Sequence, residues 1–157
     1  MIPPMLATAP TWAALMARDF TQANIGITLS ALSFLPPRSV DKSPFSAWYA
    51  ALVAAQMRGV MVHIILPAPT RAHPATLRNG AFAQQLHATG LPVTLIKPGN
   101  LLHAKTALID GRIVWCGSGN FTAAAAHHNH EAYIRSEDVT IAAAIVSFYK
   151  KVLSSNG

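Results

Sequence analysis

The chain has 157 residues, 52% of them hydrophobic and 11% charged, with 12 Lys and Arg against 6 Asp and Glu for a formal charge of +6. This length and apolar content suit a single domain (1–157) whose core needs no covalent staples. The lone cysteine, Cys116, excludes an intrachain disulfide. No run approaches the roughly 18 consecutive apolar residues of a membrane span, so no integral membrane association is expected. The N-terminus lacks a basic leader region. The expected location is cytoplasmic as the sequence stands, or periplasmic or secreted if an export signal was removed.

The charge is unevenly spread. From Lys42 to Ile109 there is no Asp or Glu, while Lys42, Arg58, Arg71, Arg78, Lys97 and Lys105 all fall there. Unopposed positive charge attracts polyanions, with nucleic acid the first candidate and anionic lipid the second. Arg38, Lys42, Arg71 and Arg78 are the candidate nucleic-acid contacts.

Taken in order, Thr11 with Trp12, Leu15, Met16 and Phe20 predicts a short amphipathic helix, Thr11 serving as N-cap. Ile25–Phe34 is rich in β-branched and apolar residues and predicts a buried strand, broken by Pro36-Pro37. Ser43 and Pro44 supply an N-cap and first-turn proline for a helix running to about Arg58, with Gly59 as its stop. Val60–Leu66 predicts a second buried strand, in which His63 is expected to be a core or edge residue. A loop with Arg71 and His73 follows, then a helix through Phe82 and Leu86 stopping at Gly90. Leu91–Ile96 predicts a third strand. This alternation implies parallel strands with helical crossovers. The later part differs: a hairpin, another strand and a terminal helix over about 138–153. The fold class expected is α/β, a mixed β-sheet flanked by helices on both faces. Trp12, Trp48 and Trp115 are expected in the core.

The densest chemistry lies between His103 and Glu131. Leu101–Ile109 alternates as a strand does, which places His103 and Lys105 on one face. Asp110-Gly111 predicts a two-residue hairpin turn. With that turn, Ile109 pairs with Arg112, Lys105 with Cys116 and His103 with Ser118, so His103, Lys105, Ser118 and Asn120 gather at the open end. Imidazole can attack phosphorus or move protons near neutral pH. Lysine and asparagine supply a charge and an amide donor for phosphate oxygens. Gly117 and Gly119 let backbone approach a bound anion. No acidic cluster is present to hold Mg²⁺, so neither metal nor cofactor is expected. His127, His128 and His130 are expected in a solvated loop beside the site; a metal site or a phosphate contact is the alternative. Cys116 is expected inside the sheet or near the site, without redox chemistry.

The pattern His103-x-Lys105-x4-Asp110-x6-Gly117-Ser118-x-Asn120, with Glu131 downstream, resembles the His-Lys-Asp signature of the phospholipase D superfamily. Ile25–Phe34, Ala51–Val60 and Gly119-Asn120-Phe121-Thr122 resemble its small bacterial endonuclease branch, and the likeness extends from about Thr11 onward. The resemblance implies a phospholipase D/nuclease-like fold with one motif per subunit. It implies that His103 forms a covalent phosphohistidine, later hydrolysed, while a second histidine protonates the leaving oxygen. Family sites use two signature blocks and this chain has one, which implies a two-fold homodimer with His103 of each subunit facing the other. Lys105 and Asn120 would then hold the phosphate, Ser118 would bond nearby, and Glu131 would orient a His103 ring. Asp110 sits at the turn and is expected to be structural, as is Gly117. The expected activity is metal-independent hydrolysis of DNA, or RNA, phosphodiesters. The alternatives are a phospholipase or phosphatidyl transferase, and a nucleic-acid-binding module that does not cleave.

Overall fold

The computed structural model describes residues 3–37, 43–99 and 101–156. Arg38 and Lys42, expected as nucleic-acid contacts, lie outside the described residues. The elements run β1 (Met5–Thr8), α1 (Thr11–Gln22), β2 (Gly26–Ser30), α2 (Pro44–Met57), β3 (Met61–Pro67), a 3-10 turn (Pro74–Thr76), α3 (Asn79–Ala88), β4 (Val93–Ile96), β5 (Lys105–Ile109), β6 (Ile113–Gly117), α4 (Ala123–His127), β7 (Ala132–Ser136) and α5 (Val139–Ser154). The seven strands form one mixed sheet in the order β1-β7-β6-β5-β2-β3-β4. Strands β2, β3 and β4 are parallel, and the remaining pairs are antiparallel.

Alternation along the strands divides the core between two faces. One face carries Ile27, Leu29, Ile64, Leu66, Ala107, Trp115 and Tyr133, packed against Trp12, Met16 and Phe20 of α1, Trp48 and Leu52 of α2, Ala125 of α4 and Leu86 of α3. Trp48 stacks on Phe45 and Phe121, and all three tryptophans are fully buried. The other face carries Ile65, Leu108 and Val114 under Ala142 and Tyr149 of α5. Helices therefore cover both faces, and among the described residues α5 alone serves the second. It leaves bare the strip where Leu6 pairs with Ile134 and Ile134 with Cys116. Cys116 is exposed on that strip, not enclosed in the sheet.

Local chemistry sets most boundaries. The Ser43 hydroxyl accepts the Ser46 N–H and Pro44 opens α2. Asp138 caps α5 by accepting from the N–H groups of Thr140 and Ile141. Thr11 is the first residue of α1 and not its cap; its hydroxyl donates to the Thr8 carbonyl. The strand expected over Ile25–Phe34 is only Gly26–Ser30, because past Ser30 the chain leaves the ladder to make contacts at the site. Strand β1 was not anticipated: its four residues carry no pattern of their own and are ordered by pairing with β7.

The hairpin differs from expectation by one residue. Asp110 and Gly111 adopt φ of 53° and 65°, and the Arg112 N–H bonds the Ile109 carbonyl at 3.0 Å, so the two-residue turn forms. Yet the ladder begins at Ile109 opposite Ile113, and Lys105 stands opposite Gly117, not Cys116. Arg112 is an extra residue on one side, drawn outward to Glu137 at 2.6 Å. A slip of one position exchanges the faces: Cys116 turns to the α5 side, and Gly117 lies across from the lysine.

Candidate active site

His103 and Lys105 meet, though not as two residues of one strand. The strand starts at Lys105, and 101–104 belong to no regular element. His103 is exposed, whereas Lys105 is only 6% exposed. The Lys105 ammonium lies 3.0 Å from Nδ1 and 3.1 Å from Nε2 of the His103 ring. Those nitrogens diverge, so no single N–H points at both; the contact fixes where the ring sits and not which nitrogen holds the proton. Burial draws the Lys105 pKa below its ordinary value, and the negative charge of Glu131 partly offsets this.

The lead-in to this pair is pinned from beneath. The Ser30 hydroxyl donates to the carbonyl of Ala104, between His103 and Lys105, at 3.0 Å. Ser30 Oγ is 2.7 Å from Thr106 Oγ1, which is 2.8 Å from the Tyr149 hydroxyl. Each hydroxyl has one proton. The Tyr149 hydroxyl also donates to the Thr28 carbonyl at 3.2 Å, so with Ser30 committed to Ala104 the one Thr106 proton is shared between its two hydroxyl neighbours. Burial pushes the Tyr149 pKa upward, which keeps it a donor. A chain of hydroxyls thus runs from α5 through β5 and β2 to the backbone beside His103. Ser30 and Thr106 are polar residues inside apolar strands, the signal by which sequence reasoning could have found them.

Asn120 is held by its oxygen: Oδ1 accepts the Ser33 N–H at 3.2 Å, leaving the NH₂ group as a donor. The Ser33 segment is anchored in turn by Asn79, whose side-chain nitrogen donates to the carbonyls of Leu32 and Pro67, both at 2.9 Å. Ser118 donates to Glu131 through a short hydrogen bond, and Asn129 donates to the other Glu131 oxygen at 3.0 Å. Within the subunit Glu131 is therefore engaged by Ser118 and Asn129, and its charge reaches Lys105. His127 closes α4, while His128 and His130 are exposed. Among the described residues no three His, Cys, Asp or Glu side chains converge as a metal site requires.

The two glycines make room for β7. A Cβ on Gly117 would fall 2.4 Å from the Ala132 carbonyl oxygen and 2.5 Å from the Tyr133 ring. The Tyr133 hydroxyl donates to the carbonyl of Gly119. What approaches these glycines in this structure is Tyr133, which locks the segment carrying Ser118 and Asn120.

Asp110 stands at the opposite end of the sheet. Its carboxylate accepts the N–H groups of Asn24, Ile25 and Gly26 at 3.0, 2.8 and 3.0 Å. Burial raises its pKa, but the three donors together outweigh that and hold it below the ordinary value. Glu137 and Asp138 also lie toward this end, and Asp19 is buried against Arg135 at 2.8 Å with Trp115 donating to it. Arg58 is taken up far from the site, donating to the carbonyls of Phe20, Thr21 and Ala23 at the end of α1. The site end of the sheet, by contrast, carries exposed Arg71, Arg78 and Lys97 beyond the ends of β3 and β4 and exposed Lys151 in the last turn of α5, with Glu131 as its carboxylate among the described residues. A cavity of about 600 Å³ adjoins His103, walled by Leu101, Leu102, Phe148 and Val152 with Lys97 and Lys151 at its edge.

Comparison with known proteins agrees with this geometry. The chain is 32% identical over 108 residues to the phospholipase D of Rickettsia bellii (strain RML369-C), covering 69% of this chain and 51% of that protein. It is 30% identical over 117 residues to the cardiolipin synthase A of Escherichia fergusonii, covering 74% of this chain and 24% of that protein. The chain thus spans about half of the first of these curated relatives and about a quarter of the second. The solved structure of Nuc, a phospholipase D family member from Salmonella typhimurium, superposes with a TM-score of 0.74 at 22% identity, over 99% of this chain and 97% of that one. Residues 16–153 match the family described as cardiolipin synthase, PLD-like domain, and the chain belongs to the phospholipase D superfamily.

Proposed function

We propose that the protein is a phosphodiesterase that cuts nucleic acid, DNA before RNA, through a covalent phosphohistidine on His103 and without a metal, at a site completed by a second copy of the chain. One observation carries the reading: an exposed imidazole rests against a buried lysine at the end of the sheet where positive charge collects. His103 attacks phosphorus, a nitrogen–phosphorus bond forms, and the bond to the leaving oxygen breaks. The second histidine, His103 of the other subunit, gives that oxygen its proton and then takes one from the water that releases the phosphoryl group. Lys105 neutralises charge on the non-bridging oxygens, and the Asn120 NH₂ donates to them. Ser118 and Glu131 set the charge near Lys105. Gly117 and Asp110 act through the fold.

The lipid reading is the second one, and a specific feature favours it: the apolar cavity beside His103 has room for alkyl substituents of a phosphodiester. The relatives named phospholipase D and cardiolipin synthase A point the same way. Plasmid DNA, single-stranded RNA and phosphatidylcholine vesicles, each incubated in excess EDTA with wild type and His103→Ala, separate the readings. Wild type is expected to cut DNA with EDTA present, and His103→Ala is expected to bind DNA without cutting. Strict dependence on Mg²⁺ overturns the mechanism. Turnover of the lipid alone overturns the substrate.

A further inference from the structure

A second concavity of about 400 Å³ lies between α2 and α3, lined by Leu35, Pro36, Pro37, Tyr49, Arg78, Phe82, Gln85 and Thr89. We propose that it receives one unpaired nucleobase of the substrate strand, close to the scissile phosphate; this rests on the nucleic-acid reading above. Three observations carry it. The first is chemical. The Arg78 guanidinium lies 4.9 Å over the Phe82 ring and is exposed, so it can offer a second flat group a planar cation. Phe82 is buried, so Arg78 has a fixed platform, and among the described residues no carboxylate lines the cavity to compete for it. The Tyr49 and Thr89 hydroxyls bond each other at 2.9 Å, which leaves the tyrosine ring with the prolines as an apolar wall. Gln85 is exposed and brings an amide able to donate to and accept from a base edge.

The second observation is position. The wall begins two residues after Ser33, whose N–H holds Asn120, and Leu35 bonds the carbonyl of Phe121. At no more than about 3.6 Å per residue, Leu35 to Pro37 lie within roughly 7–14 Å of that Ser33 N–H. A strand held by phosphate at Lys105 and Asn120 therefore has its neighbouring nucleotides within reach of the cavity. The third is size. The volume suits one base and not a folded partner, and the charged residue of the described lining, Arg78, is a cation.

The test uses the His103→Ala protein, which leaves substrate intact, and a labelled single-stranded 10-mer read by fluorescence anisotropy. Arg78→Gln is expected to weaken binding about tenfold, the scale of one base stacked on a side chain. Gln85→Trp, which fills the cavity from an exposed position, is expected to do the same. Abasic positions scanned along the 10-mer should reveal one whose loss weakens the Arg78 protein about tenfold and the Arg78→Gln protein hardly at all. On a wild-type His103 background, hydrolysis of a small chromogenic phosphodiester reports the chemistry separately from oligonucleotide binding. Equal affinity in Arg78→Gln overturns the inference. So does a loss that is the same for every abasic position, which marks a phosphate contact only. A protein that hydrolyses the small diester but binds no oligonucleotide overturns the nucleic-acid reading itself, an outcome distinct from failure of the cavity.

Discussion

The Ser30 hydroxyl donates to the carbonyl of Ala104 at 3.0 Å, and so a residue of β2 fixes the backbone that presents His103. Behind Ser30 stand Thr106 and Tyr149, linked at 2.7 and 2.8 Å. These side chains touch no reacting atom in the proposed mechanism; they position the lead-in. Tyr149→Phe removes the hydroxyl at the α5 end of the chain, and with it the bonds to Thr106 and to the Thr28 carbonyl. It is expected to cost about 1–3 kcal/mol of stability and to lower kcat of diester hydrolysis more than it raises KM. A purely structural role predicts loss of stability with kcat per folded molecule unchanged. Steady-state kinetics alongside urea denaturation tells these apart.

Lys105 offers a pH test. Burial lowers its pKa from an ordinary 10.5, so the ammonium is lost at a lower pH than on an exposed lysine. If the charge holds phosphate oxygens, the rate should fall on the alkaline side before that ordinary value is reached. Lys105→Arg keeps its charge at any accessible pH and should push the alkaline fall upward, whatever its effect on the plateau. Lys105→Ala is expected to lose about 10²–10³-fold in kcat, the scale of one lost charge-stabilising donor. A pH–rate profile of kcat for the three proteins is the measurement.

How far the fold was legible depended on whether the cause was local. Helix starts at Pro44 and near Val139 follow from capping residues, and the alternation of strands with helices over 26–96 predicts the parallel half of the sheet. Strand β1 was not legible, since only its partner β7 makes it a strand. The register of the hairpin was off by one because turn chemistry fixes the turn but not the extra residue beside it, Arg112, whose side chain meets Glu137, 25 residues away. At the site, residue identities were readable and supports were not. Gly117 reads as an anion-binding glycine until Tyr133 is seen to occupy its space. Asp19 carries no local signal of its role, because Trp115 and Arg135, which bond its carboxylate, stand 96 and 116 residues away.

Asp110 tests the end of the sheet away from the chemistry. Three N–H donors depress its pKa, so its ionised form stabilises the fold above the unfolded pKa, near 3.8, and that contribution is lost as pH falls through the lower folded value. Asp110→Asn tolerates the positive φ but lacks the charge. It is expected to be about 1–3 kcal/mol less stable than wild type at pH 7, the range for hydrogen bonds to a charged group. The difference should shrink towards zero as pH falls through the depressed folded value, where wild type loses its charge as well. Urea denaturation at both pH values measures it. Diester hydrolysis by the folded variant should match wild type, because the turn lies at the far end of β5 from Lys105. A large loss of kcat in the fully folded variant would give Asp110 a part in the chemistry.

The shared-site proposal makes a quantitative prediction about mixtures. If each site needs the His103 of both subunits, a dimer with one His103→Ala subunit is inactive. Wild-type and His103→Ala chains co-refolded at random, with wild-type fraction f, should then give activity proportional to f². A site contained within one chain gives activity proportional to f. At equal amounts the two cases differ twofold, well within the precision of a diester assay. The bare strip of β1, β7 and β6, where Leu6 and Ile134 are 67% and 51% exposed, lies on the α5 side of the sheet. A charged residue at Ile134 should weaken association if this strip joins the subunits, and activity should then fall with dilution as the square-law regime gives way to inactive monomers. An Ile134→Lys protein that sediments as a monomer yet retains full activity at every concentration would leave the single chain sufficient for the chemistry.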